Sequence, residues 1–314
     1  MSPRIVTVAV PVRNGGELFA GTLDAIAAQR IDAELELLIA DSGSTDGSAE
    51  RAREHGARLI EIPPGEFSHG GTRNLLMREA RGTHVAFLTQ DAEPASEDWL
   101  ALLLAGFELG EDVALVYGPY IPRPDASPVV RYELERWFGS LTPGAERLAP
   151  HERDIPPREL VGRRGFFTDA NGAVARAAWE RVPFREIAYA EDRALALAML
   201  RAGFAKVYEP RAGVLHSHDY TTIALFRRAF DEGRAVREVY GWRQPVGPRH
   251  LVSQVRGELG ALRRDGASPR WLLAGGVHRL AQQCGAALGA RASALPAWVQ
   301  RQLSLERHAG RRAS

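Results

Sequence analysis

Short apolar runs alternate with amphipathic stretches along the first hundred residues. Residues 5–10 (IVTVAV), 35–40 (LELLIA), 57–62 (ARLIEI) and 84–88 (HVAFL) are too short for helices, and the pattern predicts four strands. Between them, apolar positions recur at helical spacing. Leu18, Leu23, Ile26 and Ala27 share one face, and residues 48–55 follow Asp46, a capping residue. A helix over 71–80 ends before Gly82. Another holds Trp99, Leu100, Leu103 and Leu104, with Ser96 as its cap. Strands alternating with helices predict an α/β fold, a mainly parallel twisted sheet flanked by helices.

The pattern then loosens. Residues 113–118 read as a strand, 119–128 as a proline-rich loop and 129–138 as a helix. Residues 139–165, with four prolines and many charges, read as a mobile loop, and 166–174 as extended chain. A helix is expected over 191–202, short strands over 205–208 and 213–215, and a long helix over 221–240. Helical pieces separated by Gly and Pro follow. The expected division is a catalytic domain over 1–240 and a basic helical C-terminal extension over 241–314.

Composition narrows the class. With 45% hydrophobic and 25% charged residues, the 314-residue chain reads as an ordinary globular protein. The single Cys284 excludes an internal disulfide framework and a thiolate metal site. No signal peptide is expected from the opening residues, and no apolar run is long enough to span a bilayer. A reducing, cytoplasmic setting is the expectation. The net charge of +1 hides an asymmetry: residues 240–314 hold 12 Arg, no Lys and 3 acidic residues. A basic tail interleaved with Trp271, Leu272, Val277, Leu280 and Trp298 suits an interfacial helix on an anionic membrane. It equally suits a cap on the domain or a homodimer contact.

Polar motifs cluster where strands end, the place where open α/β sheets bind ligands. They are PVRN (11–14), DSGSTDG (41–47), GGTRN (70–74), FLTQDAEP (87–94), ED (191–192) and HSH (216–218). In this order they resemble the inverting family 2 glycosyltransferases of the GT-A fold. Residues 67–94 (FSHGGTRN…FLTQDAEP) are especially similar to bacterial rhamnosyltransferases that build O-antigen and other surface polysaccharides. The likeness covers roughly residues 5–240.

The resemblance implies a role for each motif. Asp41 would accept a hydrogen bond from the imide N–H of uracil or thymine, although its sequence is also that of a turn. Pro11 and Arg13 would edge the nucleobase, and Arg73 would hold diphosphate oxygens with its guanidinium fork. Gly70 and Gly71 would let a helix N-terminus approach an anion, or simply form the turn before it. Asp91 would bind a divalent cation, Mg²⁺ or Mn²⁺, on the diphosphate. Thr89 stands where the family's first Asp is usual, and Glu93 offers a second oxygen or a turn. His216 matches a metal-ligand position, while His218 would serve the donor sugar or acceptor. Asp169 and Asn171 would face the sugar or acceptor, with a plain β-turn as the alternative. Asp192 is the expected base, with Glu191 beside it, and the two are exchangeable on sequence alone.

The implied function is transfer of a sugar, L-rhamnose from dTDP-L-rhamnose, to a hydroxyl of a surface-polysaccharide or lipid-linked glycan. The expected partners are a dTDP- or UDP-linked sugar and a glycan or polyprenyl-diphosphate-linked acceptor, with no nucleic acid. Peripheral contact with the inner face of the cytoplasmic membrane and homodimerisation both remain open. Two rivals stand beside this reading. A nucleotidyltransferase would need a basic glycine-rich loop, and residues 11–16 hold no Lys. A non-catalytic glycan-binding relative would have lost Asp91 or Asp192, and both are present.

Overall fold

The computed structural model describes residues 5–63, 65–154, 156–243 and 248–306. Its strands are β1 (Ile5–Val12), β2 (Glu34–Asp41), β3 (Arg58–Glu61), β4 (His84–Leu88), β5 (Glu93–Pro94) and β6 (Val113–Tyr117). They continue with β7 (Tyr120–Ile121), β8 (Gly144–Glu146), β9 (Asn171–Ala175), β10 (Ala205–Tyr208) and β11 (Val214–Leu215). The helices begin with α1 (Gly16–Ala27), α2 (Ser48–Glu54), α3 (His69–Glu79), α4 (Trp99–Gly106), α5 (Pro128–Phe138) and α6 (Pro157–Leu160). After them come α7 (Arg176–Arg181), α8 (Glu191–Arg201), α9 (Thr222–Tyr240), α10 (Pro248–Arg264), α11 (Pro269–Gly289) and α12 (Ala297–Leu303).

Eight strands form one sheet in the order β3-β2-β1-β4-β9-β6-β10-β8. Six point the same way, while β9 and β8 run antiparallel to their neighbours. The central strands are buried on both faces, so their sequences are continuous apolar runs rather than alternations. One core layer joins α1 and α4 to the sheet through Phe19, Leu23, Ile26, Trp99 and Leu103; the other places Leu76, Met77, Leu195 and Met199 of α3 and α8 on the opposite face.

A second sheet is small and positions the site. Its order is β5-β11-β7, with β11 antiparallel to β5 and parallel to β7. Proline-rich residues 119–128 therefore contain a strand. Residues 139–165, expected as a mobile loop, contain β8, a 3₁₀ turn at Pro150–Glu152 and α6. Two expected caps also differ. The N-cap of α4 is Asp98, without a side-chain bond, rather than Ser96. Gly47, at φ 87°, caps α2, and Asp46 accepts from the Ser48 N–H at 3.1 Å.

The C-terminal helices are docked against α9. A Cβ at Gly289 would lie 1.9 Å from the Phe230 carbonyl, one at Gly285 2.3 Å from the Phe226 carbonyl, and one at Gly233 2.1 Å from the Ala286 carbonyl. Glycine at these points lets α9 and α11 touch backbone to backbone. Arg279 then joins α11 to Glu133 of α5 at 2.8 Å and to Glu258 of α10 at 2.5 Å. The extension thus shares its main interface with the last helix of the expected catalytic domain.

Candidate active site

The loops after β1 and β2 are laced together. The Asn14 side-chain oxygen accepts from the Thr45 N–H at 2.8 Å, and the Ser44 hydroxyl accepts from the Asn14 N–H at 2.9 Å. Asp46 accepts from the Gly16 N–H at 2.9 Å. Asp41, buried at the end of β2, accepts from the Ser44 hydroxyl at 2.5 Å and the Ser44 N–H at 3.2 Å. The turn expected as its alternative reading is therefore present. Pro11 is partly exposed, and Arg13 is exposed beside it, its backbone N–H held by Gln90 at 2.8 Å.

The second sheet brings Asp91 and the histidines together. Leu215 pairs with Glu93, so the residues just after β11 meet those just before β5. Nδ1 of His216 lies 3.5 Å from one Asp91 oxygen, and Nε2 of His218 lies 3.3 Å from the other. Ligand atoms of all three residues fall within 4.8 Å of one another. His218 thus stands with the metal-type cluster rather than apart from it. Burial pushes His216 down to about 4 and lowers His218 against the pull of Asp91, so both rings favour the neutral form that ligates metals. One hard carboxylate and two imidazoles are a donor set that fits a divalent transition cation. Arg123 braces this cluster, donating to the Asp91 carbonyl at 2.9 Å and to Glu93 at 3.3 Å. Glu93 is consequently paired in β5 and outside the cluster.

A second charged centre lies at the start of α8. Ala190, just before it, is left-handed at φ 64°, an uncommon conformation for a residue with a Cβ. Glu191 is buried, with its side chain only 6% exposed, and sits 3.9 Å from His69. Asp192 is partly exposed. Burial, reinforced by nearby Asp169, pushes Glu191 up to about 8 and Asp192 up to about 7. Tyr120 links the two centres: its ring lies 4.7 Å from that of His216, and its hydroxyl meets that of Thr168.

Three expected site residues, Arg73, Asp169 and Asn171, are engaged inside the protein. Arg73 is buried and its fork is closed on Asp169, Nε to Oδ2 at 2.7 Å and Nη2 to Oδ1 at 3.0 Å. Two of the guanidinium nitrogens are thus taken by Asp169, Nη1 has no hydrogen-bond partner among the described residues, and the charge offsets the carboxylates Asp169, Glu191 and Asp192. Asp169 spends its oxygens on the same pair. Asn171 is wholly buried at the head of β9. Its amide donates to the Pro119 and Ala212 carbonyls at 3.1 and 2.8 Å and accepts from the Trp99 indole at 2.8 Å. Both amide hydrogens of Asn171 are thus committed inside the fold. Gly70 and Gly71 likewise answer to packing, since a Cβ on Gly70 would stand 2.1 Å from the Arg185 carbonyl.

Sequence reasoning gave no role to His69, Arg228, Tyr189 or Glu306. His69 lies between Glu191 and Glu306, which is 3.7 Å away. Burial works against its charge, but Glu306 and Glu191 outweigh that and raise its pKa. Glu306 also pairs with Arg228 at 3.3 Å, and that guanidinium covers the Tyr189 ring at 4.8 Å. His69 lay inside a motif already singled out (FSHGGTRN); Glu306 carried no signal in sequence.

The profile of glycosyl transferase family 2 matches residues 7–169, just over half of the chain. The chain belongs to glycosyltransferase family 2. Within the family it is 35% identical to the O-antigen chain rhamnosyltransferase WbaN of Salmonella anatum over 63% of this chain and 61% of that protein. It is 32% identical to the O-antigen chain rhamnosyltransferase RfbN of Salmonella typhimurium over 73% of this chain and 71% of that one. The match to WbaN thus spans under two thirds of that relative's length. Among solved structures, a Pyrobaculum calidifontis mannosyltransferase in complex with GDP-Man and Mn²⁺ superposes with a TM-score of 0.58 at 21% identity, covering 94% of this chain and 88% of that one. Glucosyl-3-phosphoglycerate synthase of Mycobacterium tuberculosis, in complex with Mn²⁺, UDP and its product, gives 0.51 at 18% identity over 77% of this chain and 81% of that one. At such identities these neighbours establish the fold alone.

Proposed function

We propose that this family 2 glycosyltransferase moves L-rhamnose from dTDP-L-rhamnose to a glycan hydroxyl, with inversion, while the acceptor is carried on a membrane polyprenyl diphosphate. The observation that carries the reading is the convergence of Asp91, His216 and His218 in one cluster, in a fold that also leaves the carboxylate Asp192 partly exposed at the start of α8. The sugar is supported by the rhamnosyltransferase names of the two Salmonella relatives.

Asp91, His216 and His218 would hold the divalent cation, Mg²⁺ or Mn²⁺. When bound, such a cation stabilises the negative charge on the departing nucleoside diphosphate. Pro11, Arg13 and Asp41 border the nucleotide end of the crevice in this reading. Asp192 takes the proton of the acceptor hydroxyl as that oxygen bonds to the anomeric carbon and the bond to the diphosphate breaks. Glu191 stays against His69 and fixes the start of α8. Direct displacement needs no covalent enzyme intermediate, so the product has the opposite anomeric configuration.

The test is a panel of dTDP-, UDP- and GDP-linked sugars with a polyprenyl-diphosphate glycan and added Mn²⁺ or Mg²⁺. Release of dTDP from dTDP-L-rhamnose, with an inverted linkage by NMR, is the expected result. Transfer from another donor alone would replace rhamnose in this reading, and release of diphosphate from a nucleoside triphosphate would replace the reaction.

A further inference from the structure

The two long C-terminal helices use only part of their surface to dock. Gly285 and Gly289 of α11 face α9, and Arg279 is held between α10 and α5. Elsewhere α10 and α11 frame an open groove of about 650 Å³. Val252, Val255 and Leu259 line one side, at helical spacings that share a face; Leu273, Val277 and Leu280 line the other. Leu273 is 72% exposed, and Val252, Val277 and Leu280 are each more than 40% exposed. An apolar cluster left bare on two adjacent helices marks a docking surface.

The charges around it select the occupant. Arg249, Arg256, Arg263, Arg264 and Arg270 are exposed on or just beside these helices, and Arg256 borders the groove itself. Among the described residues of both helices and their connection, Asp265 is the exposed acid, while Glu258 is buried against Arg279. Two copies meeting through this face would bring like charges together with little acid to offset them. Arg270 lies over the Trp271 ring at 5.1 Å, a pairing of cation and amphipathic ring suited to the headgroup layer. No helix among the described residues is long and apolar enough to cross a membrane.

We propose that the α10–α11 face docks reversibly on an anionic lipid bilayer, its leucines and valines entering the interface and its arginines meeting the headgroups. The inference rests on this surface and holds whichever sugar is transferred. The full chain would be sedimented with phosphatidylcholine vesicles and with vesicles also containing phosphatidylglycerol, at low and high salt, without nucleotide sugar or acceptor. Binding to the anionic vesicles, weakened by salt, is expected. The double variant Leu273→Ser/Val277→Ser should reduce partitioning tenfold or more, as should Arg256→Glu/Arg263→Glu, with circular dichroism and melting unchanged. Leu18→Ser, at an exposed apolar position on α1, should leave binding intact. Failure of the wild type to bind anionic vesicles at low salt overturns the proposal, as does unaltered binding by both double variants. A wild-type dimer that Leu273→Ser/Val277→Ser converts to monomer, with no change in vesicle binding, would assign the face to a second copy instead.

Discussion

Glu191 and Asp192 are adjacent in sequence but not in surroundings. Glu191 is enclosed by His69 and the Arg73–Asp169 pair, whereas Asp192 reaches solvent. A base must touch its substrate, so the open carboxylate is the better candidate. Asp192→Asn is expected to keep the fold and dTDP affinity while lowering turnover by about 10²–10⁴-fold; Glu191 becomes the candidate if turnover survives. Because Asp192 is pushed up to about 7 and must be ionised to act, the free enzyme's kcat/KM should fall as pH drops below about 7. Glu191 gives the opposite sign in stability. Its raised pKa means the folded state favours the protonated form, so its contribution is present below the unfolded pKa and is lost as pH rises through about 8. Glu191→Gln should therefore melt at a relatively higher temperature than wild type at pH 9 than at pH 5. At the other centre, calorimetry with dTDP and titrated Mn²⁺ separates ligands from neighbours. Asp91→Ala should lose the metal-dependent gain in affinity, and His218→Ala should lose at least tenfold of it. An unchanged His218→Ala would return that histidine to the sugar or acceptor.

At the scale of elements, the parallel strands and their helices were legible because each is an uninterrupted periodic segment of adequate length. Of the small β5-β11-β7 sheet only β11 was, as the short strand expected over 213–215. Two-residue strands have no period, and β11 pairs with β5 and β7 across about 120 and 94 residues of chain. The motifs that end at Asp91 and begin at His216 could be recognised, but not the register that joins them. The partners of buried polar residues were not legible for a related reason. Asn171 and Arg73 look like ligand groups in a motif, yet the fold spends them on the Trp99 indole, two carbonyls and Asp169. Antiparallel β9, inserted between β4 and β6, creates those partners, and nothing local in its sequence announces its direction. Asn171→Ala would strand one donor and two acceptors in the interior. The expected loss is about 3 kcal/mol of stability, read from denaturant midpoints. A variant that is stable but defective in transfer would restore Asn171 to the site.

Across the whole molecule, the chain folds back on its catalytic domain at several places, among them the Arg279–Glu133 pair to α5 and two junctions on α9 that differ in kind. The α9–α11 contact is broad and made by glycines; the other is a narrow strap at residues 304–306. There the wholly buried Asp231 accepts the Leu305 N–H at 2.8 Å and the Glu306 N–H at 3.4 Å, while Ser304 is buried beside them. The strap delivers Glu306 to His69 and Arg228, and so connects the C-terminal extension to Glu191. Cutting each junction should have its own signature. Gly289→Leu meets the Phe230 carbonyl where even a Cβ would stand 1.9 Å away, so it must push α11 off α9 and lower global stability. Asp231→Ala removes the strap's acceptor and the pair that Asp231 makes with Arg234 one turn on in α9 at 3.2 Å, but no contact between α9 and α11, at a cost of about 1–3 kcal/mol felt mainly at the strap. Hydrogen exchange of the Leu305 and Glu306 amides should accelerate in Asp231→Ala while that of α11 holds. If α11 loses protection equally, the strap and the helical extension open as one unit, and the tail's link to His69 is a consequence of helix docking rather than of Asp231.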